Sequence, residues 1–399
     1  MRILILHSRY GSGDASGENR VVDRERELLA DAGHEVRVCI PGPFDPRGSG
    51  NAELAVGAVH SRAAARKVRA LVREHRSEIV HCHNLFPGLS PAVIGAAADA
   101  GAAVVMTLHN YRLLCLPATL LRDGCPCEAC LGRLPWRGIV HRCYRSSAPA
   151  SATLAASLAL HRATRTFARV RLFLAVSEFV REKHLAAGFV PQRVRTKPNF
   201  VQAHRRRTGP GEYFLYVGRL SPEKGLSMLL AAHRPGLGKL LVAGEGTERA
   251  VLGTKVARGI ELLGQVPAVR VPELLAGARA LVFPTRSYEG APLAVLEAYA
   301  AGVPVIASRT GALMDLVHDG ESGLLVPAND PRAWTEALTR LRDDAESMRL
   351  GAAAHQLWRD HYTPERALRN LEDAYRAALA GNAGSTTAVW RPRREEQPT

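Results

Sequence analysis

The chain has 399 residues, of which 46% are hydrophobic and 23% are charged, and its formal net charge is +15 at pH 7. Its length is long for one core and suits two domains of about 150–200 residues each, and no apolar run approaches the roughly 20 residues of a membrane span. A basic protein attracts phosphate-bearing partners, but no basic stretch is interleaved with stacking aromatics, which argues against nucleic acid as the partner.

The N-terminal half alternates apolar β-like runs with helical stretches. Its opening, MRILILHSRYGSG, has an apolar run of only four residues and no cleavage site, so it predicts a buried first strand and a cytoplasmic location. We predict strands at 3–6, 35–40, 78–83, 102–109 and 171–177, the last being the final strand of the first domain. We predict helices at about 18–32, 61–76, 90–100 and 150–170. This alternation predicts a parallel sheet with right-handed crossovers.

A second alternation follows the polar linker 202–212. Strands are predicted at 213–220, 239–246, 259–264, 280–285, 303–308 and 323–327. We therefore expect an N-terminal Rossmann-like domain over 1–200 with a cysteine-rich insert at 111–145, and a C-terminal domain over 201–365. A C-terminal helix is predicted over 366–380, and the small, polar and charged residues of 381–399 predict a disordered tail.

Ligands of open α/β sheets bind beyond the carboxyl ends of the strands. The strongest signal at such a place is Tyr288-Glu289-Gly290-Ala291-Pro292-Leu293-Ala294-Val295-Leu296-Glu297, directly after a strand. Gly290 permits close approach of the backbone to a ligand, Pro292 suits the first turn of a helix, and the free amides there can bind a phosphate. If the segment is helical, the two glutamates lie about 10 Å apart and can each accept hydrogen bonds from vicinal hydroxyls. Read by itself, the same segment is also consistent with a solvated helix.

The second signal is Gly218-Arg219-Leu220-Ser221-Pro222-Glu223-Lys224-Gly225, a predicted strand-to-helix turn. Arg219 and Lys224 can neutralise a diphosphate without a metal, and the chain has no Asp-x-Asp motif. Surface cations on an ordinary turn are the alternative interpretation.

These segments, with LVAGEG (241–246), GQVP (264–267), VFPT (282–285) and AGVPVIAS (301–308), resemble a family 4 glycosyltransferase of the GT-B fold. The order and spacing match over about 210–330, and the N-terminal half matches more loosely through SGENRVV, TLHNYR and AVSEFVREK. The resemblance implies two Rossmann-like parallel-sheet domains that face each other across a cleft, retention at the anomeric carbon, and a nucleotide-sugar donor such as a UDP- or GDP-sugar.

The resemblance also implies roles for individual residues. Glu289 would contact the donor hexose, Glu297 the ribose, and Arg219 with Lys224 the diphosphate. The remaining implied contacts are His109 at the transferred sugar, Gly17 of the glycine-rich loop 11–17 at the phosphates or acceptor, Gly290, Pro292 and Leu293 at the helix start, and Gly244, Glu245, Gly264 and Val266 near the base. The loop departs from the usual family pattern because Ser16-Gly17 replaces a Gly-Gly pair.

The resemblance implies an enzyme that transfers a hexose-type sugar to a hydroxyl acceptor in polysaccharide, glycolipid or glycosylated-metabolite biosynthesis, with no cofactor needed for catalysis. The alternatives are a non-catalytic nucleotide-sugar-binding subunit and another GT-B enzyme such as an epimerase or phosphorylase. A dehydrogenase is disfavoured, since the glycines are spaced G-x-G-x3-G and no acidic residue follows the second strand.

Two further features concern partners. The cysteines Cys115, Cys127, Cys130 and Cys143 have a spacing that is compatible with a structural zinc site, with Cys125 as a fifth candidate; buried thiols and a redox pair are the alternatives. Arg62, Arg66, Arg69, Arg73 and Arg76 step by four and three residues and would form one stripe on a helix. This stripe would contact an anionic membrane that carries a lipid-linked acceptor, on the inner face of the membrane, unless it is a solvated helix face.

Overall fold

The computed structural model describes residues 1–9, 16–41, 56–203, 205–253 and 258–381. The chain divides into two compact units. The first comprises Met1–Leu120, Cys127–Lys197 and the segment from Leu368 onward, and the second comprises Leu121–Pro126 and Pro198–Ala367. The expected disordered tail and most of the glycine-rich loop lie outside the described residues.

The sheet of the first unit is entirely parallel and has the order β2-β1-β3-β4-β7-β8. Its strands are β1 (Arg2–Leu6), β2 (Glu35–Cys39), β3 (Ile79–Cys82), β4 (Ala103–Leu108), β7 (Val170–Ala175) and β8 (Val194–Thr196). The prediction that 171–177 is the last strand of this sheet is wrong. Only one residue of β8, Val194, is buried, so this short edge strand has no apolar alternation that the sequence could reveal.

Serine caps fix the starts of three helices of the first unit. The side chains of Ser61, Ser147 and Ser177 each accept a hydrogen bond from the amide three residues later, as favoured N-cap residues do. The helices are Gly17–Asp31, Arg62–His75, Ala92–Asp99, Arg137–Val140, Ala148–Ala163, Glu178–Ala186 and, from Leu368 onward, Pro364–Leu379.

The core of the first unit includes the C-terminal helix. Leu371 and Tyr375 from this helix are buried in one cluster with Ile3, Val105 and Leu174 from the sheet. From Leu368 onward the last helix therefore belongs to the fold of the first unit, although the second unit precedes these residues in the sequence.

The second unit contains another parallel sheet, with the order β11-β10-β9-β12-β13-β14. Its strands are β9 (Tyr213–Val217), β10 (Lys239–Ala243), β11 (Ile260–Gly264), β12 (Ala278–Phe283), β13 (Val305–Ser308) and β14 (Gly323–Val326). Its helices are Leu226–Ala232, Arg249–Gly253, Val271–Ala276, Leu293–Ala300, Leu313–Leu316, Pro331–Arg340, Asp344–His361 and the first turn of Pro364–Leu379. The central strands are near-continuous apolar runs because helices cover both faces.

The predicted α/β class with two parallel sheets is thus confirmed. A separate antiparallel hairpin pairs β5 (Leu121–Arg122) with β6 (Cys125–Pro126) inside the cysteine-rich insert. Over the described part of the chain, every helix is too short or too polar to cross a bilayer.

Candidate functional site

The loops at the carboxyl ends of four neighbouring strands of the second unit are hydrogen-bonded to one another. The amide of Leu220 donates to the carbonyl of Glu245 at 2.8 Å, and the amide of Gly244 donates to Gly264 at 2.8 Å. The amide of Arg286 donates to Glu223, also at 2.8 Å. These bonds bring the predicted segments after β9, β10, β11 and β12 together at one end of the sheet.

Two glycines permit this close approach. A Cβ on Gly225, whose φ is +70°, would lie 1.9 Å from the carbonyl oxygen of Pro284. A Cβ on Gly244 would lie 1.8 Å from the carbonyl oxygen of Gly218. Side chains cannot be accommodated at either position, so both glycines are needed for the contact between loops.

Lys224 and Glu289 form an ion pair at the centre of these loops. The Lys224 Nζ donates to Glu289 Oε1 at 2.6 Å, and both side chains are largely buried. Thr285 and Ser287 also donate to Glu289 Oε1, at 2.9 and 3.3 Å. Both residues belong to the motifs predicted from the sequence, and in the structure they are hydrogen-bonded to each other.

The ion pair keeps the glutamate charged. Burial alone would raise the pKa of Glu289, but the Lys224 ammonium and the hydrogen bonds from Lys224, Thr285 and Ser287 lower this pKa below its ordinary value. The loops therefore hold a carboxylate that can accept hydrogen bonds from sugar hydroxyls, next to an ammonium that can bind a phosphate.

The other predicted residues lie around this pair. Arg219 is exposed, and its carbonyl accepts a hydrogen bond from the buried Tyr216 hydroxyl at 2.8 Å, which fixes the turn. Glu245 is exposed and forms an ion pair with Arg249 at 3.0 Å. Val266 is half-buried two residues after β11.

The two glutamates of the strongest motif do not share one helix. The helix begins at Leu293 with Pro292 as its N-cap, and Glu289 and Gly290 precede it in non-helical backbone. The separation of about 10 Å, which assumed that both glutamates lie on one helix, therefore does not apply. Glu297 is on this helix and is only 3% exposed, whereas Glu289 is anchored to the strand-end loop.

Asn199 is a site residue that the sequence analysis missed. Its Nδ2 donates to the carbonyl of Ala291 at 3.1 Å, and its buried Oδ1 has no hydrogen-bond partner among the described residues. The segment after the first unit thus contacts the loop that precedes the Leu293–Ala300 helix. No motif marks it, because the contact joins positions 92 residues apart.

His109 in the first unit is half-buried and contacts a cluster of buried histidines. His109 Nε2 and His83 Nδ1 are 2.8 Å apart, and the His83 and His81 ring centroids are 4.2 Å apart. Lys197 donates to Oε1 of Glu25, and Oε2 of the same carboxylate lies 3.8 Å from His83 Nε2. Of these residues, only His109 could be predicted from the sequence, because the remaining members come from separate elements.

This cluster holds its histidines neutral. Burial, with the nearby Lys197 ammonium, keeps the pKa of His109 well below 6.5. Burial and the neighbouring His81 have the same effect on the pKa of His83. Since His109 Nε2 is engaged with His83, a neutral Nδ1 is the nitrogen that His109 can offer to a sugar.

Glu18 follows the predicted Gly17 in the first turn of its helix. Asn110 Nδ2 donates to Glu18 Oε2 at 3.3 Å, and burial raises the pKa of Glu18 to about 7 in spite of nearby Arg112. Gly17 itself is exposed. Residues 11–15 of the predicted loop lie outside the described residues.

In the part of the chain that the structure describes, no three of the four cysteines of the predicted zinc site bring their sulfur atoms within 4.8 Å of one another. Among the described residues, the group of three metal-ligand side chains whose ligand atoms lie within 4.8 Å of one another is Glu25, His81 and His83. In that group both nitrogens of His81 already bond Tyr375 and Thr107, and Glu25 is paired with Lys197, so the residues form a hydrogen-bond network rather than a cation site. The structure gives no support for zinc at Cys115, Cys127, Cys130 and Cys143, and such a site stays a prediction.

Fold and sequence define the class of protein. A family model described as "Glycosyltransferase Family 4" matches residues 15–205, and one described as "Glycosyl transferases group 1" matches residues 211–344. The chain belongs to the family 4 glycosyltransferases, as the motifs predicted.

Among curated relatives, the chain is 32% identical to D-inositol 3-phosphate glycosyltransferase of Acidothermus cellulolyticus over 235 residues, which are 50% of this chain and 51% of that protein. It is 34% identical to glycogen synthase of Mycobacterium tuberculosis over 45% of each chain. The chain thus spans about half the length of the curated relatives it matches.

Solved structures share the fold over nearly the full length. Sucrose-phosphate synthase from Thermosynechococcus elongatus aligns with a TM-score of 0.70 at 19% identity, covering 95% of this chain and 100% of that one. Anabaena HepE in complex with UDP and glucose aligns with a TM-score of 0.64 at 15% identity, covering 94% and 100%. These likenesses confirm the GT-B fold.

Proposed function

We propose that the protein is a retaining glycosyltransferase that moves a hexose-type sugar from a nucleotide-sugar donor to a hydroxyl acceptor. The observation that carries this proposal is the Lys224–Glu289 pair, held at the carboxyl ends of the second sheet where the loops after four strands meet. Family membership and the UDP-bound relative support a UDP-sugar as the first donor to test, with a GDP-sugar as the alternative.

In this proposal Arg219 and Lys224 neutralise the leaving diphosphate without a metal, and the amides at the Leu293 helix start bind one of its phosphates. Glu289 accepts hydrogen bonds from hydroxyls of the transferred sugar, and Glu297 from those of the ribose. Gly244, Glu245, Gly264 and Val266 border the base.

Retention requires the acceptor to attack the face from which the diphosphate leaves. A phosphate oxygen then removes the acceptor proton, and neutral His109 donates or accepts a hydrogen bond at the transferred sugar. Gly17 would border the phosphates or the acceptor. A lipid-linked oligosaccharide, a polysaccharide end and a small metabolite are the acceptor classes to test.

The first experiment screens UDP- and GDP-sugars for thermal stabilisation. A ligand at 100 times its dissociation constant adds about 2.7 kcal/mol to the stability of the folded state. The best donor then enters a transfer assay, in which the anomeric configuration of the product is read by NMR. An inverted product would contradict retention, and loss of activity in EDTA, restored by a divalent ion, would contradict a metal-independent reaction.

The non-catalytic alternative makes a different prediction. A binding subunit would be stabilised by the donor, but it would neither hydrolyse the donor slowly without acceptor nor transfer the sugar. Lys224→Met is the informative variant, because it should abolish both stabilisation and turnover in an enzyme, whereas Arg234→Met alters an exposed cation elsewhere in the same unit.

A further inference from the structure

Three large apolar side chains are exposed within seven residues of the first unit. Leu134 is 49% exposed, Trp136 57% and Val140 66%. Other exposed large apolar residues in the described ranges are mostly isolated in sequence, and Trp136 is the only aromatic residue among them. Isolated exposed apolar residues are ordinary, whereas a cluster that includes a tryptophan indicates a contact surface.

The segment 133–142, here called the Trp136 segment, is held in place from beneath. Gly138 packs so closely on Leu116 that a Cβ would lie 2.7 Å from its Cδ1. Arg162 donates to the carbonyls of Arg133 at 2.8 Å and Leu113 at 2.7 Å. The exposed side chains are therefore presented by an anchored turn.

The sequence around these side chains is rich in arginine. Residues 129–177 contain eight arginines and no aspartate or glutamate. Arg133, Arg137 and Arg142 of the segment are exposed, and the Arg137 guanidinium carbon lies 5.6 Å from the centroid of the Trp136 ring. Exposed tryptophan and aliphatic residues flanked by arginines are typical of proteins that lie in the interface of an anionic bilayer.

We propose that the Trp136 segment is a membrane-interface contact, in which Leu134, Trp136 and Val140 enter the headgroup region of an anionic phospholipid surface. Three side chains are too few for a stable protein interface, which buries about 800 Å² per partner. Shallow insertion needs less area, because the exposed arginines add electrostatic attraction to the anionic surface.

This surface is distinct from the arginine stripe on the Arg62–His75 helix, but the helix Ala148–Ala163 contacts both regions. His161 of that helix stacks on His60, with 5.5 Å between ring centroids, and the adjacent Arg162 holds the Trp136 segment. Of the stripe, Arg62, Arg66 and Arg73 are exposed, and Arg69 lies 3.8 Å from Asp99. The stripe can add charge to membrane binding, while the Trp136 segment supplies the apolar part.

Vesicle flotation tests the proposal on the full chain. We expect binding to phosphatidylcholine vesicles that contain phosphatidylglycerol, and weak binding to phosphatidylcholine alone. Trp136→Ser should lower the affinity at least about tenfold, and Leu134→Ser with Val140→Ser should act in the same direction. The matched control is Val269→Ser, which alters a 79% exposed apolar residue in the second unit and should bind as the parent does.

Tryptophan quenching locates the inserted side chain. Trp334 and Trp358 are buried, and Trp390 lies outside the described residues, so a Trp390→Phe background leaves Trp136 as the exposed tryptophan. Lipids brominated near the headgroup should quench this protein, and Trp136→Phe should remove that quenching.

Equal vesicle binding by Trp136→Ser and Val269→Ser would overturn the proposal. Loss of binding in Arg62→Gln/Arg66→Gln/Arg73→Gln with none in Trp136→Ser would instead assign membrane contact to the stripe. A changed oligomeric state of Trp136→Ser without changed vesicle binding would assign the segment to a protein partner. Nucleotide-sugar binding, measured on the same variants, should stay unchanged, which separates this result from any failure of the proposed function.

Discussion

At the scale of single residues, the ion pair joins Lys224, which is expected to bind the diphosphate, to Glu289, which is expected to bind the sugar. The Lys224 ammonium donates to the Glu289 carboxylate at 2.6 Å, and in the proposed function a donor would exchange this contact for contacts to its phosphate and its sugar. We expect this exchange to need little movement of Glu289, because Thr285 and Ser287 also donate to its carboxylate and hold it in place.

The paired glutamates should differ in their effect on nucleotide binding. Glu297→Ala or Glu297→Gln should weaken both nucleoside diphosphate and donor, since the ribose is common to both, by about 1.5–3 kcal/mol for a hydrogen bond to a charged group. Glu289→Ala should spare the nucleoside diphosphate but should lower turnover, because the proposed partner of Glu289 is the transferred sugar. Calorimetric titration with UDP and GDP measures the difference, and equal losses in both glutamate variants would contradict these roles.

Motif residues could be predicted from the sequence, whereas the residues that hold them could not. Lys224 and Glu289 stand in recognisable local patterns next to strand ends. Thr285 and Ser287 are ordinary polar residues until the fold brings them to Glu289, and Glu25 and Lys197 are 172 residues apart. Single-sequence patterns carry no information about such long-range pairs.

At the scale of elements, the site depends on turns that approach each other closely. The 222–224 turn lies against the end of β12 only because Gly225 has no side chain. The helix boundary at Leu293 likewise depends on a proline N-cap. Sequence patterning located both segments. It also allowed one helix to include both Glu289 and Glu297, because proline is common in the first turn of a helix.

Gly225→Ala should therefore disturb both stability and donor binding. The new Cβ meets the Pro284 carbonyl oxygen at 1.9 Å, and the left-handed φ adds strain of about 1–3 kcal/mol. We expect a lower melting temperature and weaker donor stabilisation. Gly209→Ala is the control, because nothing lies within 4 Å of its Cβ, and equal effects of the two substitutions would refute the close-approach argument.

The cysteine-rich insert allows a direct metal analysis. The sequence prediction of structural zinc requires about one zinc per chain, lost in a Cys127→Ser/Cys130→Ser double variant and retained in Cys125→Ser. Metal-free protein with full activity and an unchanged melting temperature would end the prediction.

At the scale of the whole molecule, the buried histidines should make stability depend on pH. Burial keeps the pKa values of His81, His83 and His109 well below the 6.5 of the unfolded chain. The folded state thus binds fewer protons below pH 6.5, and stability is lost as the pH falls through that value. Each histidine contributes up to about 1.4 kcal/mol per pH unit.

Glu18 opposes this trend over part of the range. Its pKa of about 7 lies above the ordinary 4.5, so the folded state binds more protons between these values, and stability falls as the pH rises there. Three histidines outweigh one glutamate, so we expect a net loss of stability on acidification from about pH 6.5 to about pH 5. Calorimetric melting across this range measures the slope; His81→Gln should make it shallower, and the exposed His141→Gln should not.

The βα alternation allowed both parallel sheets to be predicted, because buried strands and amphipathic helices have different apolar periods. It could not assign the last helix or the hairpin to a unit. Leu371 and Tyr375 form an ordinary helical face, and nothing in their spacing indicates which sheet they cover. Apolar patterning shows that a face is buried, but it does not identify its partner.

That last helix has a consequence for biosynthesis. The ribosome must synthesise the whole second unit before it delivers the residues that close the core around Ile3 and Val105. The first unit is thus encoded first but completed last, and until then an uncovered sheet face must be kept from aggregating. A gene fragment that ends after Lys197 would therefore lack the helix residues that complete this core.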